Sequence, residues 1–209
     1  MPLVVRAEVI DLRTDSPKAS DVFAVDTNVW YWLTYAPASQ SAAPYQSQQY
    51  PNYLKRAKTV GVSLRYCGTV YAEITHLIEK AEYEAFCLLQ QSINPTMQKA
   101  WPKDFRHNFP IARQNVQDEV GIAWGQVTSM ADIAVVPLDA ATVGATSALF
   151  DQVRLDGYDL ITIEAMRQNG IKHIITDDKD FLTVPGIVVL TANHNAIQSA
   201  QAAGKLIAR

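Results

Sequence analysis

Residues 22–30 read VFAVDTNVW. The first four are apolar, with two Val and one Phe, and have the length and character of a short strand buried on both faces. Asp26, Thr27 and Asn28 follow without a break, and all three residue types cap helices well. A helix is therefore expected to open at once and run to about Tyr35, with Val29, Trp32 and Leu33 on one face. A buried strand, a polar turn and an amphipathic helix form the repeating unit of a parallel sheet covered by helices. In open sheets of this kind, reactive groups collect beyond the carboxyl ends of the strands. Asp26 stands at that spot.

The same alternation continues outward from this stretch. Residues 62–66, 133–136, 171–176 and 187–191 are further short apolar runs. Ile74, Leu77, Ile78, Ala81, Ala85, Leu88 and Leu89 recur at steps of three and four, which predicts a helix over about 70–91. Val116, Val120, Ala123, Trp124, Val127 and Met130 predict another, and helical patterns follow at about 141–155 and 157–169, where Gly170 suits a C-cap. The expected fold is a three-layer α/β/α arrangement around a central parallel sheet of about five strands. Two stretches interrupt it. Residues 36–52 are uncharged and rich in Ala, Ser, Gln and Pro, and read as a long loop before a short basic helix carrying Lys55, Arg56 and Lys58. Residues 94–113 contain three prolines and read as an insertion. The chain divides into an N-terminal extension, 1–21, a core domain, 22–193, and a helical tail, 194–209.

Composition narrows the function classes. The 209 residues are 48% hydrophobic and 19% charged, with a formal net charge of −3. A chain of this length buries roughly 70% of its unfolded surface, and the balance excludes a disordered, collagenous or coiled-coil protein. Cys67 and Cys87 are the only cysteines, too few for a disulfide framework or a CxxC metal site. Arg6, Glu8 and Asp11 interrupt the place where a secretory signal needs its apolar stretch, and no run approaches the ~18 apolar residues of a membrane span. A cytoplasmic protein away from membranes is expected. His76, His107, His173 and His194 do not pair at metal-ligand spacing, and no Gly-rich phosphate loop is present.

The carboxylates carry the chemistry. Asp26 ends the first central strand, Glu73 lies in the first turns of the helix after the second, and Asp159 opens the helix leading to the fourth. Asp177, Asp178 and Asp180 follow that fourth strand directly. In a parallel sheet all of them project toward one rim. Converging carboxylates stay ionised together only with a cation among them. An all-oxygen donor set suits Mg²⁺ or Mn²⁺ and, with it, phosphoryl chemistry. Each acid taken singly is as well explained by a helix cap, a helix dipole or a solvated turn; their joint placement favours a site.

Four blocks, FAVDTNVW at 23–30, TVYAEITHLIE at 69–79, GYDLITIEAM at 157–166 and IITDDKDF at 174–181, make the chain resemble the PIN-domain nucleases, and VapC-type ribonuclease toxins among them. The stretches VVPLD at 135–139 and VPGIVVL at 184–190 also fit. The resemblance implies a catalytic, metal-binding quartet of Asp26, Glu73, Asp159 and Asp178, supported by Asn28, Thr176, Asp177 and Asp180. It implies a Mg²⁺- or Mn²⁺-dependent endoribonuclease, with RNA as substrate and an antitoxin protein and a homodimer as partners. Within the last block the resemblance, whose key Asp stands two residues after the Thr, implies Asp178 rather than Asp177. The chain is longer than a compact VapC toxin, through its extension, its two interrupting stretches and its tail.

The 94–113 insertion is a candidate RNA contact. Residues 99–113 hold four basic residues against one acidic, a local +3 in a chain otherwise at −6. Lys99, Trp101, Lys103, Phe105, Arg106 and His107 interleave aromatics with cations, as single-strand binding requires. The competing reading makes the aromatics anchors for the insertion. Two rival functions are an aspartate-based phosphatase or phosphotransferase, which wants a second Asp where Asn28 stands, and a non-catalytic nucleic-acid-binding module.

Overall fold

The structure, a computed structural model, describes residues 4–96 and 100–209. Strands β1 (Glu8–Asp11), β2 (Val22–Val25), β3 (Ser63–Cys67), β4 (Asp132–Ala134), β5 (His173–Ile175), β6 (Val188–Thr191) and β7 (Leu206–Ile207) form one sheet in the order β4-β3-β2-β5-β6-β1-β7. Every pairing in it is parallel. The chain is therefore α/β as expected, with seven strands rather than about five. The additional strands come from the segments read as extension and tail. Val9 pairs with Val189 on one side and Leu206 on the other, so neither segment is an appendage to the sheet.

The central strands are short apolar runs because helices cover both faces. Phe23, Val25, Ile174, Ile175, Val189 and Leu190 are all buried. The order of strands reverses between β2 and β5: from β2 the chain steps outward through β3 and β4, then returns to the other side of β2 and steps outward through β6. A crevice lies at such a reversal, beyond the carboxyl ends of the strands. Val25 pairs with Ile175, and the Asp26 N–H donates to the Ile175 carbonyl at 3.0 Å. Asp26 and Thr176 thus leave the sheet side by side.

The helices are α1 (Thr27–Thr34), α2 (Ala36–Ser41), α3 (Pro44–Val60), α4 (Thr69–Ile93), α5 (Pro102–Asn108), α6 (Pro110–Met130), α7 (Ala140–Phe150), α8 (Gly157–Gln168) and α9 (His194–Ala202). The expected loop at 36–52 is instead α2 and the first half of α3. Tyr50, Tyr53, Leu54 and Ala57 are all fully buried and form one helical stripe. That packing holds α3 together despite Pro51, which removes one backbone donor from its interior. Gly61, at φ +86°, ends the helix, and the Val62 N–H reaches back to the Ala57 carbonyl at 3.0 Å.

Within the insertion at 94–113, residues 102–108 form α5 and those from 110 onward begin α6. Phe105 is fully buried between Tyr83 and Phe86, with ring centroids 5.5 and 5.3 Å away, and Phe109 lies 4.6 Å from Phe86. Phe105 is therefore a packing residue that clips α5 onto α4, and its ring offers no face to a base. Along α4 the periodic stripe is buried only in its first half. Ile74 and Ile78 are in the core, whereas Leu88, Leu89 and Ile93 are exposed. Among the described residues, no helix is long and apolar enough to cross a membrane.

Candidate functional site

Asp26 is the hub of the crevice. It caps α1, its Oδ1 accepting from the Thr27 N–H at 2.6 Å. Its Oδ2 accepts from Asn28 Nδ2 at 2.7 Å and from the Thr176 hydroxyl at 2.5 Å. Thr176 Oγ1 in turn accepts the Asp178 N–H at 2.9 Å. On the other side, the Thr27 hydroxyl donates to Glu73 Oε2 at 2.7 Å. Two threonine hydroxyls thus join the ends of β2 and β5 and the first turns of α4. Asp159 sits in the first turn of α8, whose N-cap is Asp156; Asp156 Oδ1 accepts the N–H groups of Tyr158 and Asp159 at 2.9 and 3.1 Å.

The electrostatics join all four acids of the expected quartet. Burial pushes Asp26 up to about 7, and Glu73 and Asp178 push it further the same way, against the pull of its hydrogen bonds. Asp159 is pushed up to about 8, first by burial and then by Asp26, Asp156, Asp178 and Glu73. Glu73 is raised by burial, with Asp156 adding to it and the Thr27 bond opposing. Asp178 is raised by burial, with Asp180, Asp156 and Asp177 adding and its bond from the Asp180 N–H opposing. No cationic side chain figures among the main influences on any of the four.

The other expected residues divide. Asn28 and Thr176 bond directly to Asp26. Asp180 donates its N–H to Asp178 Oδ1 at 2.8 Å. Asp177 points elsewhere: Tyr50 donates to its Oδ1 at 2.6 Å, and Tyr45 and Gln46 donate to its Oδ2 at 3.0 and 2.8 Å. It docks α3 and leaves Asp178 as the acid of this loop that faces Asp26. Asp156 is an acid the sequence reading missed, although an Asp immediately before GYDL is a recognisable helix cap. In the insertion, Lys99 lies outside the described residues. Trp101 is 77% exposed, Lys103 and His107 are exposed, and Arg106 is ion-paired with Glu79.

The donor set fits a hard divalent cation. It consists of carboxylate oxygens, plus Asn28 Oδ1, which is buried and has no hydrogen-bond partner. A buried acceptor without a donor suits a cation or a water held by one. Among the described residues, no three His, Cys, Asp or Glu side chains close into a metal cage.

No protein-family model matches the chain, and no curated protein matches it. Among solved structures it is similar to VapBC2 from Rickettsia felis bound to a DNA fragment from their promoter. The identity is 12% and the TM-score 0.47, over 81% of this chain and 98% of that one. Likeness at this level leaves function to be read from the site.

Proposed function

We propose that this chain is a metal-dependent endoribonuclease that hydrolyses phosphodiester bonds of single-stranded RNA, acting as the toxin of a toxin-antitoxin pair. The observation that carries the reading is the set of four acids at the β2/β5 reversal, all raised by burial, with Asp26 and Asp159 pushed further by other members of the set and, among the described residues, no cationic side chain among the main influences on any of them. Asp26, Glu73, Asp159 and Asp178 would hold one or two Mg²⁺ or Mn²⁺ ions. Bound there, such an ion lowers the pKa of water and offsets charge on phosphate. In the proposed reaction water adds to phosphorus and the bond to the 3′ oxygen breaks. The chain's own part is positional. Thr176 holds Asp26 and the Asp178 backbone together, and Thr27 orients Glu73. Asp159, pushed up to about 8, retains its proton at neutral pH until a cation displaces it.

The aspartyl phosphatase reading loses ground on one contact. The residue two positions after Asp26 is Asn28, and its amide donates to the Asp26 Oδ2, where that chemistry wants an acid. The test is incubation with a fluorescent single-stranded RNA in Mn²⁺, Mg²⁺ or EDTA. Cleavage with metal and none in EDTA is expected. Equal cleavage in EDTA, or none under any condition, overturns the proposal. Co-expression with a small neighbouring open reading frame checks the antitoxin and the dimer.

A further inference from the structure

The expected RNA contact, the insertion, has lost Phe105 to the core and Arg106 to an ion pair. A different feature takes its place. Between α4 and α6 lies a cleft of about 390 Å³ lined by Tyr71, Thr75, Arg113, Gln117 and Trp124, with Val116, Val120 and Gly121 at its floor and sides. Its aromatic wall is braced. Trp124 stands edge-on to Tyr66 and to Tyr71, with ring centroids 5.1 and 5.0 Å apart. Tyr71 nevertheless remains 47% exposed.

Two polar atoms of this lining are unsatisfied. Thr75 Oγ1 and Arg113 Nη1 are both buried and without a hydrogen-bond partner. Arg113 Nη1 has only an ion pair with Glu79 at 3.6 Å, too long for a hydrogen bond. Buried polar groups are nearly always hydrogen-bonded, and each exception calls for an explanation. Here the residues that carry these atoms line one cleft together with an exposed aromatic ring. An aromatic face beside a planar donor fork and a hydroxyl is what an unpaired nucleobase needs: a surface to stack on and partners for its edge.

The cleft also lies near the acids. Tyr71 and Thr75 flank Glu73 in α4, two residues to either side, so they sit on the opposite face of that helix within one turn of it. A strand running from cleft to carboxylates passes around half of this helix, roughly 16 Å for a helix about 10 Å across.

We infer that the α4–α6 cleft is a base-binding subsite, in which one unpaired nucleobase of an RNA strand stacks on Tyr71 and is hydrogen-bonded at its edge by Arg113 and Thr75. This rests on the ribonuclease reading and adds to it a reason for single-strand preference. A base paired in a duplex has both faces covered and offers none to Tyr71.

The test is fluorescence anisotropy of a labelled single-stranded RNA with the full chain in EDTA, so that binding is read without cleavage. Tyr71→Ala should weaken binding about 5- to 150-fold, the worth of one lost stack. Tyr71→Phe should bind like wild type, because it keeps the ring. Arg113→Gln should weaken binding as well. A duplex of the same sequence should bind more weakly than the single strand. Thermal melts of each variant separate lost binding from lost folding, and Tyr71→Phe keeps the proposal open to test if Tyr71→Ala is unstable. Wild-type affinity in Tyr71→Ala, or equal loss in Tyr71→Phe and Tyr71→Ala, overturns the subsite. So does a duplex bound as tightly as the single strand, which would point to phosphate contacts alone. If wild type cuts RNA and Tyr71→Ala binds it unchanged, the subsite falls and the nuclease stands. A wild-type chain that neither binds nor cuts RNA takes both down.

Discussion

Asp15 and Asp26 are equally hidden, each 7% exposed, yet their surroundings treat them in opposite ways. Asp15 receives Arg209 Nε at 2.9 Å, Arg209 Nη2 at 2.8 Å and the Tyr53 hydroxyl. Arg209 also pairs with Asp21 at 2.8 Å and lies over the Phe23 ring, 5.2 Å from its centroid. Burial pushes Asp15 up, but these partners outweigh it and hold its carboxyl below the usual range. Asp26 has hydroxyl and amide donors only, and other acids around it, so burial carries it up to about 7. Depth alone does not set the charge of a carboxylate; the presence of a cation does. One region is complete in itself. The other is built to lack a positive charge.

The largest expected effect tests the second region. Asp26→Asn should reduce RNA cleavage to background while the fold persists, since Asn keeps the oxygen that caps α1. Its melting temperature in EDTA should hold or rise, because a repelling charge has gone. Wild-type cleavage by this variant would remove Asp26 from the proposed chemistry.

Arg209→Met should make the first region resemble the second. It strands Asp15, whose side chain is 1% exposed, without its cation. Breaking a buried pair in this way costs about 3–5 kcal/mol. Denaturant unfolding should show that loss, and restoring it by the further change Asp15→Asn would confirm that the stranded charge is its cause. An unchanged midpoint in Arg209→Met would mean that the pair contributes little.

Manganese should make the second region resemble the first. Binding to the folded state stabilises it by about 2.7 kcal/mol at a hundredfold excess over Kd. Melts with millimolar Mn²⁺ should therefore exceed those in EDTA, and the difference should shrink in Glu73→Gln. Identical melts would count heavily against a cation site.

The smallest effect is on pH dependence. In EDTA, stability should fall as pH rises from about 5 to about 8. The folded chain still holds protons on Asp26 and Asp159 over this range, through their values of about 7 and 8, whereas the unfolded chain has already lost them. Asp15 does not add to this fall, because its value is lowered, not raised, from the usual carboxylate range. His173, lowered by burial and by Arg209, acts with the opposite sign, but only below its ordinary value. The slope should flatten in Asp26→Asn. A stability flat or rising with pH in wild type would contradict the raised values.

The sequence reveals the centre of the molecule more clearly than its margins. β2 is visible to the residue because a doubly covered strand is apolar throughout; Asp26 and Asp178 are visible because they follow such runs, and Glu73 and Asp159 because each stands near the start of a helix. The segment 36–52 is misread because its buried stripe is made of tyrosines, which look polar until Tyr50 and Tyr53 are seen inside. Pro51 strengthens the misreading, since only tertiary packing lets a helix keep it. The insertion divides similarly: Trp101 and Phe105 are both aromatic, and nothing local says that one faces solvent and the other the core. Asp156 is hidden by its neighbour, because the motif draws attention to Asp159. Arg209 and Asp15 stand almost a whole chain apart, and no local pattern connects them.

The place of β1 between β6 and β7 has a consequence for how the chain folds. Glu8 pairs with Val188, and Val9 with Val189 and Leu206. β1 therefore gains both of its neighbours across very long stretches of chain, Glu8 reaching to Val188 and Val9 to Leu206. Until those pairings form, Val9, Ile10 and Leu12, all interior in the folded molecule, are open to water and to other chains. Pairings of such long sequence separation form slowly, and waiting strands of this kind are where association goes wrong. Until β6 and β7 have both paired with it, β1 leaves that side of the sheet open.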